Sequence, residues 1–200
     1  MTTAVRFLRL IACLMMLLTL QALGGVFGSP SAVIASSASP DSTDIAAIQS
    51  PALAAFPFYD GFESGTLGDD WTISTTNEGR VQVADSYPQS GSYSLLLDDY
   101  SDDTTYSLAA AILTIDLSGQ SQVDLDFWCH DFTDVADPED GVFISDDGTT
   151  WHQVLDLNSI PSFYRHYIID LDAEAASAGM ALNDHFQIKF QFYEDDPVPV

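Results

Sequence analysis

From Val123 to His130 the chain reads Val-Asp-Leu-Asp-Phe-Trp-Cys-His, placing Val123, Leu125, Phe127 and Cys129 at every second position. A period of two scatters these residues around a helix but gathers them on one face of a strand, because successive strand side chains point to opposite faces. The pattern recurs near the end of the chain. Phe186, Ile188, Phe190 and Phe192 oppose Gln187, Lys189, Gln191 and Tyr193. Each segment is therefore a strand with one core face and one wet face, which is how an antiparallel sheet packed on one side reads.

Seven more runs of β-like residues lie between Gly, Asp, Asn, Ser or Pro: 71–74, 80–84, 93–97, 106–117, 141–145, 151–157 and 164–171. Many short strands at intervals of about 8 to 12 residues predict an all-β fold, an antiparallel β-sandwich or jelly roll. One segment departs from the pattern. Asp172, the helix formers Ala173 to Ala178 and the terminating Gly179 predict a single short helix.

Ahead of this body, Arg6 and Arg9 precede the apolar run Leu10 to Leu23 and then small residues ending Val33-Ile34-Ala35. This order is that of a secretory signal peptide, residues 1–35, cut after Ala35 or Ala38. Residues 36–55, rich in Ser, Ala, Pro and Asp, read as a flexible linker, and residues 56–200 as the β-sandwich domain. The exported chain is then extracellular or held at the cell surface, with no stable membrane insertion after cleavage.

The chain holds 5 Lys and Arg against 30 Asp and Glu. Removing the leader leaves Arg80, Arg165 and Lys189 as the basic residues facing all the acids. Nucleic-acid binding needs clustered cations to displace counterions, so nucleic acid is excluded as a partner. The two cysteines are Cys13 and Cys129, and after cleavage Cys129 alone remains, so no intrachain disulfide staples the domain. Its place in the apolar phase of a strand makes Cys129 a buried hydrophobe.

Residues that carry reactions are not grouped. The four histidines, His130, His152, His166 and His185, are scattered singly, no Gly-x-Ser-x-Gly elbow occurs, and no Glu-x-Asp-x-x-Glu strand of a jelly-roll glucanase is present. Ser145 to Trp151 resembles an Asp-box turn one residue short, a structural hairpin device that occurs once and so excludes a propeller. The acids Asp98, Asp99, Asp102 and Asp103 around Tyr100 read as a solvated loop. For recognition, Trp128 and Tyr193, with Asp126, Gln187 and Gln191 on outward faces, supply aromatic surfaces for a pyranose and polar groups for its hydroxyls.

The segment Phe58-Tyr59-Asp60-Gly61-Phe62-Glu63-Ser64-Gly65, then Trp71, then Ser90 to Leu95, then Val123 to Trp128, resembles the opening half of a MAM-like domain. These concanavalin A-like jelly rolls include the cleaved-adhesin domains of secreted bacterial proteins. The resemblance covers roughly residues 58 to 195 and lacks the cysteines of animal MAM domains. It implies adhesion, with a surface protein or an extracellular glycan as partner and no catalysis, and a further strand beyond Val200. It also implies structural calcium, held by Asp60, Glu63 and the backbone carbonyl of the Gly91 turn, for a cation that takes six to eight oxygens. The alternative is an accessory or degenerate domain of a secreted glycoside hydrolase or protease.

Overall fold

The computed structural model describes the backbone of residues 11–20 and residues 53–99, 106–131, 137–157, 160 and 162–194. The strands are β1 (Ile11–Leu20), β2 (Tyr59–Asp60), β3 (Trp71–Thr76), β4 (Gly79–Ala84), β5 (Ser94–Asp99), β6 (Ser107–Ile115), β7 (Val123–Asp131), β8 (Gly141–Ser145), β9 (His152–Asp156), β10 (Arg165–Asp170) and β11 (Phe186–Glu194). One helix, α1 (Leu171–Ala178), sits between β10 and β11.

The strands form two sheets in which every strand pair is antiparallel. The first has the order β10-β7-β1-β5-β4, with β2 also paired to β1; the second has the order β3-β6-β11-β8-β9. The alternating residues explain why two sheets close on each other. Val123, Leu125, Phe127 and Cys129 of β7 and Phe186, Ile188, Phe190 and Phe192 of β11 are all buried in one core. The Phe127 and Phe190 rings meet edge to face across the sandwich at 5.2 Å. The fold is an all-β sandwich with one short helix.

All nine predicted body strands are present within a few residues of their expected ends. Two strands are additional. β2 has two residues, too few for a periodic signal, and β1 coincides with the apolar run read as the core of the leader. The helix starts one residue before its expected cap: Asp170, whose carboxylate accepts from the Ala173 N–H at 2.9 Å, is the N-cap, and Gly179 closes the other end at φ 71°. The linker expectation covers residues that are mostly outside those described, but its last part is already docked. Ala54 is buried and bridges to Ile115, donating its N–H to the Thr114 carbonyl at 3.0 Å.

The acidic run at 98–103 is corrected in its first half. Asp98 and Asp99 are not in a solvated loop but inside β5, whose six residues are all buried. Asp98 is 0% exposed and is held by Arg80, its cross-strand partner on β4, through Nε at 2.8 Å and a second bond from Nη2. Asp102 and Asp103 lie outside the described residues.

Candidate ligand-binding site

The outward face of the first sheet is built where β10 runs beside β7. Their register pairs His166 with Trp128, Ile168 with Asp126 and Asp170 with Asp124, and paired residues in an antiparallel ladder share a face. The Trp128 and His166 rings stack with centroids 4.8 Å apart and planes 16° apart. His166 Nε2 lies 2.6 Å from an Asp126 carboxylate oxygen, so the same ring is fixed by a π contact and a polar one. Because β10 is the edge strand, the stack stands at the sheet margin as an aromatic fin with a carboxylate at its foot.

The strip continues at both ends. Toward the end of β7, His130 packs under Tyr164 at 4.3 Å and near Tyr87 at 6.4 Å, and the Tyr164 hydroxyl donates to the Tyr87 carbonyl. His130 is consequently buried although its strand phase points it outward. At the opposite end, Ser121, Gln122, Asp124, Asp170 and Asp172 line an open cavity of about 380 Å³. Asp172 also receives the Val123 N–H at 2.7 Å, which ties α1 to the start of β7. Burial, then the charges of Asp170, Asp172 and Asp126, raise the Asp124 carboxyl above the ordinary value. Around the strip, Ile168 is 60% exposed and Tyr87 54%.

The five recognition residues predicted from alternation divide between two surfaces. Asp126 and Trp128 are in the strip. Gln187, Gln191 and Tyr193 lie on β11, in the middle of the other sheet. Gln191 is only 7% exposed, because the turn before β8 covers it and takes its amide hydrogen at the Glu139 carbonyl, 2.8 Å away. Gln187 donates to Thr114 Oγ1 at 3.2 Å, and Tyr193 stacks on Tyr106 at 6.2 Å. An outward strand phase does not imply solvent where a loop folds over the sheet. His166 is the member that the sequence reading left out, since cross-strand register decides its position.

Of the three residues tied to calcium, Asp60 ends β2, Glu63 lies in the loop after it and Gly91 in the loop before β5. One Asp60 carboxylate oxygen receives the Phe62 N–H at 2.7 Å and the other the Trp71 indole N–H at 3.0 Å. This clamp matters because Phe62 has φ 59° and is buried against Trp71. Glu63 takes the Ser92 N–H at 3.0 Å and the Tyr93 N–H at 3.2 Å. Gly91, at φ 70°, lets Glu63 approach: a β-carbon there would be 2.3 Å from the carboxylate oxygen. Glu63 and the Gly91 turn are thus brought together, while Asp60 is turned to the aromatic core. Among the described residues no group of three or more His, Cys, Asp or Glu side chains is arranged so that it could hold a metal ion. These carboxylates act as acceptors for N–H groups, and the geometry adds no support to a calcium set.

Ser145 to Trp151 forms the β8–β9 turn. One Asp147 oxygen accepts the Thr149 and Thr150 N–H groups at 2.7 and 2.6 Å, and the other the Thr150 hydroxyl at 2.8 Å. Those donors, led by the Thr150 N–H, hold the Asp147 carboxyl well below the ordinary range. Lys189 lies over the Phe143 and Trp151 rings at 4.5 and 4.4 Å, and burial lowers its ammonium from the ordinary value. Both arrangements have architectural work to do. Among the described residues no helix is long and apolar enough to cross a membrane. Comparison with family models, with characterised proteins and with solved structures found no match.

Proposed function

We propose that this chain is a noncatalytic adhesion module, secreted or held at the cell surface, that binds extracellular carbohydrate through the outward strip of β7 and β10. The observation that carries the reading is the Trp128–His166 stack at the sheet edge, with Asp126 bonded to His166 at its foot. A flat aromatic surface suits the apolar face of a pyranose, and a neighbouring carboxylate suits its hydroxyls. Asp124, Asp170 and Asp172 around the adjoining cavity add acceptors for hydroxyl or ammonium groups. The same carboxylates repel phosphate and sulfate, so neutral or amino sugars are the favoured class.

On this reading Asp126 serves recognition, holding the His166 ring against Trp128. The MAM-like resemblance of the opening motifs agrees with adhesion. Retention on a panel of immobilised neutral and amino glycans tests the reading. Trp128→Ala and His166→Ala should each reduce retention at least tenfold while leaving the melting temperature within a few degrees. Unchanged retention in both variants would overturn it.

A further inference from the structure

Residues 11–20 have two assignments that exclude each other. By composition they are the apolar core of a leader whose removal after Ala35 or Ala38 would take them from the protein. By position they are β1, a strand inside the first sheet. β7 runs along β1 from Leu20 against Val123 to Ile11 against Asp131. On the other side, Ile11 to Cys13 pair with Leu97 to Leu95 of β5, and Met16 and Leu17 pair with Asp60 and Tyr59 of β2.

β5 and β7 are not neighbours in the sheet, and among the described residues β1 alone pairs with both. Without it, among the described strands, β10-β7 and β5-β4 are two-stranded ribbons joined only through their packing on the second sheet, and β2 loses its ladder partner. Two-stranded ribbons are marginal in water. The backbone groups left unmatched line a slot roughly 30 Å long, the length of a ten-residue strand. Its core side is formed by Leu95, Leu97, Leu125, Phe127 and Cys129, all fully buried when the sheet is whole.

We propose that this slot is a strand-acceptor site: once the leader has been removed, it takes an extended apolar segment of about ten residues from another polypeptide, antiparallel to β5 and β7 in the register of β1. The proposal rests on the secretory reading and is independent of the glycan strip. Main-chain bonds to both walls supply affinity, and apolar side chains at alternate positions supply fit. Charge narrows the partner further. Asp126 and Asp124 of β7 stand opposite the register positions of Leu17 and Thr19, so a segment with acids there is repelled.

The test uses the full chain with a protease site placed at the 35/36 junction. The folded protein is cut, and a labelled peptide spanning residues 9–21 is offered in excess, alongside the same peptide carrying Cys13→Pro and Leu18→Pro. The expected result is one-for-one replacement of the native fragment by the labelled peptide. Amides of 95–97 and 125–129 should exchange slowly while the slot is filled and fast when it is empty. The proline peptide should be taken up at least tenfold less, because proline cannot donate to the ladder. Four results would overturn the proposal: equal uptake of the proline peptide, loss of the fragment with those amides still protected, unfolding of the cut chain with no uptake, or exported protein that still carries residues 11–20. Glycan retention, read in parallel, fails or holds separately.

Discussion

Replacing Arg80 by Ala strands a carboxylate inside a sheet. Asp98 is 0% exposed, and the Arg80 guanidinium, itself one-third exposed, faces it with two donors. Had both groups been at the surface, the pair would contribute at most about 1 kcal/mol. With Asp98 fully buried, removing the cation leaves a charge with neither water nor its partner, which costs roughly 3 to 5 kcal/mol. For a domain of this size about 3 °C accompanies each kcal/mol, so the melting temperature should fall by roughly 9 to 15 °C. Arg80→Lys should recover only part of this, since an ammonium cannot fill a two-pronged geometry. Arg80→Met combined with Asp98→Leu should recover most of it, because the buried charge is removed together with its partner. The assay is thermal and urea unfolding of the four proteins at one ionic strength. A loss below about 1 kcal/mol in Arg80→Ala would refute the reasoning, for it would mean that water reaches Asp98.

Gly91→Ala should destabilise the fold by about 2 kcal/mol or more, from left-handed strain and displacement of Glu63 together; urea unfolding that matches wild type would show that the loop simply shifts. Asp147→Asn should lower stability at neutral pH and remove the part of the acid-induced loss that this carboxyl causes. A carboxyl whose folded value is depressed stabilises above its ordinary value of 3.8 and loses that effect as pH falls toward the folded value. The melting temperatures of wild type and variant should therefore differ by a constant amount at neutral pH and converge below pH 3.8; a gap that widens in acid would contradict the turn geometry. Phe127→Ala should cost about 3 to 5 kcal/mol, because the ring packs on both Tyr167 and Phe190 and leaves a cavity between the sheets; a denaturation midpoint near wild type would mean that the core collapses around it.

Local pattern carried the strands that have a wet face and a dry one. β7 and β11 were legible because their inward residues alternate with polar ones, and α1 because its caps are written in Asp and Gly. What stayed hidden depends on neighbours in space. Ile11 to Leu20 is apolar at every position but Thr19, and such a run reads alike whether it serves as a leader core or as a strand. Gln191 has the phase of an exposed residue and is covered by a turn some fifty residues away in sequence. His166 became part of the candidate site through the register of β10 on β7, which no single segment encodes. Glu63 lies beside the Gly91 turn, where its carboxylate accepts the Ser92 and Tyr93 N–H groups, a contact made across some thirty residues that no single segment encodes.

The register of β1 also sets an order in time. Its longest ladder is with β7, whose first residue, Val123, lies more than a hundred positions after Leu20. A chain made from its N-terminus at about 5 to 20 residues per second emerges through residues 11–20 several seconds before that partner exists. During this interval the run is a largely apolar segment whose β7 partner has not yet been made. If residues 11–20 serve as a leader, capture must come within this interval, before the ladder with β7 can form.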